Sequence, residues 1–367
     1  MTVLDVAVVG GGQAGLALGY HLKARGLGFE IFDAGTSIGQ VWRSRWDSLR
    51  LFTPVHYAGL PGLPFPAEPD TCPTKDQVAD YLQTYVDTVG LSIRLNTRVT
   101  ALRRDPERDG YLLSAVGATI AARNVVVATG PFQTPFTPPV SAGLAPPVTQ
   151  LHSSDYRNPE QLPPGPVLVV GGGNSGFQIA AELAATRTVD LAIGTRNVTV
   201  PQRVLGRDIF WWQTITGLIT APATSRRGQW MRRGEGTVIG LSTRDLRRAG
   251  VTLRPRLVRT HDDHAVFADG TTLPVSTVIW ATGFRRDHSW VDIPEAVDDG
   301  GNLLHSRGIS RVAGLYILGQ PWQHTAGSAL LGFVQHDAAH LADHITAHRF
   351  AQSENQPRAI TPWWANW

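Results

Sequence analysis

Val3-Leu4-Asp5-Val6-Ala7-Val8-Val9-Gly10-Gly11-Gly12-Gln13-Ala14-Gly15 is the stretch whose reading decides the fold. Residues 3–9 are mostly apolar and β-branched, which suits a strand buried on both faces. Gly10, Gly12 and Gly15 stand at the spacing G-x-G-x-x-G, and 13–25 reads as a helix. The first glycine permits a tight turn, the second close approach of backbone to a pyrophosphate, the third close packing of helix on strand. Gln13 and Ala14 open a helix whose N-terminus aims free N–H groups and partial positive charge at phosphate. A second strand over 29–32 ends in Asp33, where a carboxylate would accept hydrogen bonds from a ribose.

The pattern recurs. A strand over 167–170 leads into Gly171-Gly172-Gly173-Asn174-Ser175-Gly176, and a helix follows to about residue 187. The next strand, 189–193, is followed by Thr195-Arg196 and carries no acid at the position of Asp33. A carboxylate there would repel a 2′-phosphate and an arginine would attract one. The first site therefore reads as holding a dinucleotide with a free ribose and the second as holding NADPH; for Arg196 a solvated surface arginine is the alternative. Each repeat also ends a buried strand in the same tripeptide. Residues 124–128 run into Ala128-Thr129-Gly130, and 277–280 into Ala281-Thr282-Gly283. Small residues there let backbone approach a bound dinucleotide. A small antiparallel meander precedes each: 98–104 (with Val99 in the cofactor-binding set), 111–116 and 119–121, then 257–260, 265–267 and 271–273. The expected fold class is α/β, with two Rossmann-like dinucleotide-binding domains in one chain. Two such sites imply electron traffic between two cofactors.

The 367 residues suffice for about two domains. Basic and acidic residues nearly balance, 33 against 30, and no long basic run occurs, which argues against nucleic acid as a partner. The single cysteine, Cys72, excludes an internal disulfide, a C-x-x-C redox pair and a cysteine-rich metal site, and suggests a reducing, cytoplasmic interior. No stretch approaches the ~18 apolar residues of a membrane span. The first ten residues read as a core strand rather than a signal peptide.

The two fingerprints, the paired Ala-Thr-Gly strands and the block Leu151-His152-Ser153-Ser154-Asp155-Tyr156 resemble the flavin-containing monooxygenases. The similarity is to the short bacterial single-component branch, related to plant indole-pyruvate monooxygenases, over nearly the whole chain. It implies FAD at the first fingerprint and NADPH at the second, in a glutathione-reductase-like two-domain architecture. The FAD domain would comprise 1–157 and 281–367, and the NADPH domain 158–280 with an insertion at 199–245. The resemblance further implies hydride transfer to flavin, reaction with molecular oxygen, and a C4a-hydroperoxyflavin that oxygenates a nitrogen, sulfur or carbon centre of a small molecule. No metal is required. The family pattern Phe-x-Gly-x-x-x-His-x-x-x-Tyr keeps His152 and Tyr156 here, but Pro146 and Val148 replace its Phe and Gly. Tyr156-Arg157 departs from the Trp-Pro or Trp-Asp pair of Baeyer–Villiger enzymes. Leu51-Phe52 lacks the amide that animal-type enzymes place beside the flavin.

Around these motifs, Gly39 and Trp42 open a loop whose flat rings, Trp42 and Trp46, either pack on an isoalloxazine or anchor the loop. Trp42 and Phe52 are candidate apolar walls that keep water from the reacting centre. His152 is either a catalytic group or a packed histidine at a domain junction. Residues 52–73 are proline-rich and irregular. Thr74 and Gln77 form a capping box for a helix that Gly90 ends. Residues 131–147 read as a linker. The insertion, with Trp211, Trp212, Trp230 and many arginines, is a lid or a solvated basic helix pair. A late strand over 315–318 reaches Gly319-Gln320, and a helix from 328 to about 348, through Leu330, would aim its N-terminus at the flavin's pyrimidine end. The tail Pro362-Trp363-Trp364-Ala365-Asn366-Trp367 is too aromatic for a solvated tail and reads as docked on the protein or on a second subunit, which leaves a homodimer open. An oxidase or reductase passing electrons from NADPH to oxygen, a quinone or a partner protein is the competing function, and a redox sensor without turnover a third.

Overall fold

A computed structural model of the chain describes residues 3–68, 70–195, 198–234 and 236–354, with side chains through 348. Arg196 and the 362–367 tail lie outside the described residues. Strand Val3–Val9 sits inside a nine-stranded sheet, parallel to Phe29–Phe32 on one side and Ala118–Val127 on the other. Ile93–Arg94 and Leu315–Ile317 extend that parallel core outward. Strand Val167–Val170 holds the same position in a five-stranded sheet. Its neighbours are Val189–Ala192 and Thr277–Trp280, flanked by Thr252–Arg254 and Thr149–His152, and every pairing is parallel. The two sheets thus share one strand order.

The fifth strand reveals how the units interlock. In the first sheet it is the late Leu315–Ile317, in the second the early Thr149–His152. A boundary at 157/158 therefore falls after a strand of the second sheet, and the expected limits do not separate the two sheets cleanly. Residues 42–51 cross over as well: Trp46 and Leu49 are buried in the core of the second sheet, among Tyr156, Val169 and Phe177.

Each sheet is covered on both faces, as its continuous apolar strands require. On one face of the first lie helices Gln13–Ala24, Lys75–Val89 and Gln335–Glu354, packed through Leu18, Leu82, Leu341 and Ile345. On the other lies the meander Val99–Arg104, Tyr111–Ala115 and the start of Ala118–Val127. Helix Asn174–Leu183 and the meander Leu257–His261, His264–Phe267 and Thr272–Pro274 do the same for the second sheet. The Thr74–Gln77 capping box is formed, and Gly90, at φ 66°, closes that helix.

Three expectations fail for identifiable reasons. The segments 119–121 and 124–128 are one strand, Ala118–Val127, because the buried Asn124 amide donates to the Asp5 carbonyl (3.0 Å) without leaving the ladder. The second fingerprint helix stops at Leu183, and Arg187 instead donates to the carbonyls of Pro159, Leu162 and Pro163. The late helix begins at Gln335, not Ser328. Ser328 Oγ accepts the N–H groups of His324 and Thr325 (both 3.0 Å), and this local bonding favours turns over helix. No helix N-terminus lies at Leu330.

The fingerprint glycines are distinguished by their surroundings. A Cβ on Gly15 would lie 2.0 Å from the Gly10 carbonyl oxygen, and one on Gly176 1.9 Å from that of Gly171. A Cβ on Gly12 or Gly173 would meet nothing within 4 Å. Gly176→Ala is accordingly expected to destabilise the protein by roughly 1–3 kcal/mol through backbone overpacking, and Gly173→Ala to leave the melting temperature nearly unchanged. Thermal denaturation of the two variants checks this; equal melting temperatures would contradict it.

Candidate active site

The two fingerprints build matching cradles. Gly10 N–H donates to Phe32 O (2.8 Å) and Gly171 N–H to Ala192 O (3.0 Å), so each glycine turn is pinned to the adjacent strand. Gly10 (φ 115°) and Gly171 (φ 129°) both adopt backbone that disfavours a side chain. Ala128 N–H bonds to Val9 O and Ala281 N–H to Val170 O (both 2.8 Å), which brings each Ala-Thr-Gly tripeptide beside its glycine turn. Gly130 (φ 69°) and Gly283 (φ 82°) also face open space. Gly12 and Gly173 precede the helices in extended backbone, so the first-turn N–H groups of Gln13, Ala14, Asn174 and Ser175 lack intrahelical partners. Each cradle is a space that a dinucleotide's pyrophosphate fits and that a Cβ would fill.

The cradles differ at the strand end. Asp33 Oδ2 accepts from Gly11 N–H (2.6 Å) and Oδ1 from Gly35 N–H (2.7 Å), holding the carboxylate at the first turn. The matching position in the second unit, one residue past Ala192, is Ile193. Arg256 donates from Nη2 to the Gly194 carbonyl (2.8 Å) and brings a guanidinium to this strand end, where Thr195 is exposed. Sequence reading missed Arg256 because it is distant in the chain. Its signal was a basic residue just after the unrecognised strand Thr252–Arg254.

Around the first cradle, Gln13 Nε2 donates to Ala329 O (3.1 Å), and a Cβ on Gly319 would lie 2.8 Å from Ala14 Cβ. The chain from Gly319 to Leu330 therefore borders the first fingerprint. Gln320 is buried there, and neither atom of its amide has a hydrogen-bond partner. An orphaned buried amide is costly and fits a polar ring edge. Gly39 adopts φ 72° against Ala79 of the neighbouring helix and is a packing glycine. Val99 packs at the edge of the meander core.

Trp42 is half-buried in the short helix Gln40–Arg43 and touches the cores of both sheets, so it anchors the junction. Phe52 meets a different group. It stacks on Phe210 of the insertion (6.2 Å between ring centres), which with Tyr57, Phe333, Ile219 and Leu330 makes an aromatic wall. Gln202 Nε2 ties the insertion to Phe52 O (2.9 Å), and Ala223 N–H ties it to His324 O (2.6 Å). Asn174 Oδ1 accepts from Ile239 N–H (3.1 Å), so its amide fastens the insertion's return strand instead of facing the cradle.

His152 is also committed elsewhere. Ser154 N–H donates to Nδ1 (3.1 Å), which makes Nδ1 the acceptor, and Nε2–H donates to Gly283 O (3.0 Å). The ring is buried edge-on against Phe284. Gly283 O also accepts from Phe136 N–H (3.0 Å), where the two crossing segments Thr134–Pro135 and Phe284–Arg285 pair antiparallel. His152 therefore positions the Gly283 turn, which accords with the packed-histidine alternative. Tyr156, fully buried, donates to Glu182 Oε2 (2.8 Å) and is likewise structural.

Two matching dinucleotide cradles in one chain define a redox protein that handles two nucleotide cofactors. The pyridine nucleotide-disulphide oxidoreductase family model matches residues 7–204. An uncharacterised CzcO-like oxidoreductase of Geobacillus kaustophilus is 43% identical over 94% of this chain and 99% of its own. The indole-3-pyruvate monooxygenase YUCCA1 of Oryza sativa subsp. japonica is 29% identical, covering 91% of this chain and 87% of its own. The solved flavin-containing monooxygenase of Stenotrophomonas maltophilia superposes with a TM-score of 0.80 at 29% identity, covering 95% of this chain and all of that one. The chain belongs to the pyridine nucleotide-disulphide oxidoreductase family, and within it to the flavin monooxygenases. Cys72, the one cysteine in the chain, is partly buried, and burial pushes its thiol up to about 11.

Burial holds the His152 imidazole below the ordinary histidine range. The unfolded chain then binds the proton more readily. Its contribution to stability is present above about pH 6.5 and is lost as pH falls below that. His152→Gln keeps a donor for Gly283 O without titrating. Its melting temperature is expected to fall less than that of the parent between about pH 7 and about pH 5. Parallel dependence of melting temperature on pH for the two would contradict the buried, neutral His152 at the Gly283 turn.

Proposed function

We propose that this chain is an FAD- and NADPH-dependent monooxygenase of a small-molecule nitrogen, sulfur or carbon centre. The observation that carries the reading is the pair of open glycine cradles that differ at one position, an acid in the first and none in the second. FAD would be held in the first cradle by the turn of Gly10, Gly12 and Gly15, the Gln13–Ala14 N–H groups, Asp33 and Ala128-Thr129-Gly130, with the orphaned Gln320 amide a partner for it. NADPH would be held in the second by Gly171, Gly173, Ser175, Gly176 and Ala281-Thr282-Gly283, with Arg256 and Arg196 as partners for the 2′-phosphate. Bound flavin supplies the two-electron exchange with nicotinamide and the activation of oxygen.

The protein's own part is orientation and exclusion of water. His152 and the paired crossing segments hold the Gly283 turn, and Trp42 and Trp46 fix one unit on the other. Phe52, Tyr57, Phe210 and Phe333 form an apolar wall at the end of the first cradle, where a substrate would displace water. The architecture is a glutathione-reductase-like pair of domains, with 199–245 as a lid on that wall. A cytoplasmic location accords with the cysteine usage.

Two outcomes are expected. Arg256→Ala raises KM for NADPH about tenfold or more and leaves KM for NADH nearly unchanged; equal effects on both would remove the phosphate role. In labelled oxygen, product from an amine, thioether or keto acid carries one labelled atom per NADPH consumed. Release of all reducing equivalents as peroxide with every substrate class would favour the oxidase or reductase reading.

A further inference from the structure

The insertion has an outer face as well as the inner one that carries Phe210. Leu205 is at the tip of the hairpin formed by Arg203–Val204 and Arg207–Asp208, and is 86% exposed. Ile215 ends helix Ile209–Ile215 and is 56% exposed; Trp230, on helix Arg226–Arg232, is 63% exposed. These pieces are fastened together. Trp212 Nε1 donates to Val204 O (2.9 Å), the Arg207 guanidinium lies over the Trp211 ring (5.4 Å), and Arg227 Nη1 donates to Thr216 O (3.3 Å).

Cations surround the exposed apolar groups. Arg226, Arg227 and Arg233 stand four and three residues before and three residues after Trp230, which puts them on its side of the helix. All three are exposed, as are Arg207 and Arg203, the latter paired with the Asp70 carboxylate (3.5 Å). Between 199 and 240 the sequence carries two acids, Asp208 and Glu235, and Asp208 is buried and caps the following helix through Phe210 N–H (2.8 Å). Among the described residues, exposed arginines thus outnumber exposed acids on the insertion, and an indole and two aliphatic side chains are exposed among them.

We propose that this face docks on an anionic lipid surface. The aliphatic and indole groups suit the boundary between headgroups and acyl chains, and the arginines suit anionic headgroups. A second copy of the chain in a two-fold contact would set arginines against arginines, which charge disfavours. A nucleic acid would satisfy the guanidinium groups and leave Leu205 and Ile215 without apolar partners. Docking would place the lid between bilayer and aromatic wall and favour substrates that partition into lipid. That consequence rests on the proposed function; the docking does not.

The test is co-sedimentation of the FAD-loaded protein with vesicles of phosphatidylcholine alone or with phosphatidylglycerol added. The expected result is pelleting with anionic vesicles only, weakened as salt rises from ~0.1 M to ~0.5 M. Arg226→Gln combined with Arg227→Gln is expected to raise the lipid needed for half-binding roughly fivefold or more. Trp230→Ala and, at the solvated hairpin tip, Leu205→Ser are expected to weaken binding with flavin content and melting temperature unchanged. Equal pelleting of all variants, or none with anionic vesicles, overturns the proposal. So does duplex-DNA binding or self-association that these substitutions abolish, if vesicle binding is absent.

Discussion

The contact on which the rest depends is between two glycines of one turn, made twice. Gly15 and Gly176 lie so close to the carbonyls of Gly10 and Gly171 that neither position admits a side-chain carbon. This closeness seats each helix on its strand and leaves its N-terminus pointing at the space beside Gly12 or Gly173. Gly10 and Gly171 must also lack side chains, because a Cβ there would lie 2.5 and 2.2 Å from the carbonyl oxygens of Ala128 and Ala281. The shape of each cradle follows from this one steric arrangement.

A second constraint makes one enzyme from two cradles. Each sheet takes its fifth strand from the far side of the chain, and the crossings run side by side. Gly283 O receives both His152 and Phe136, while Gln178 of the second fingerprint helix bonds to the backbone of Arg50 in both directions (3.4 and 3.1 Å). These bonds, with Trp46 and Leu49 buried in the opposite core, couple the cradles through backbone, which suits hydride transfer between two held cofactors.

Both cradles were legible in the sequence because their chemistry is local. A turn, a cap and a carboxylate twenty residues on depend on near neighbours, so strands Val3–Val9 and Val167–Val170 match their expected limits. The misread features depend on contacts distant in sequence. His152 reads as a catalytic candidate until Gly283, far along the chain, takes its second nitrogen. Arg256 reaches its strand end only through Gly194, which lies far from it in the chain. The late helix was misplaced because Ser328 bonds locally, a competition between turn and helix that apolar periodicity does not register.

The central claim is that the two cradles hold different cofactors in series. Its most direct test is a comparison of Gly12→Val with Gly173→Val, each measured for FAD per chain and for bleaching by NADPH without oxygen. The account expects the first variant to purify without flavin. It expects the second to remain yellow, with FAD near one per chain, and to bleach at least roughly tenfold more slowly than the parent. A flavin-free Gly173→Val, or a Gly12→Val that keeps its flavin, would contradict it.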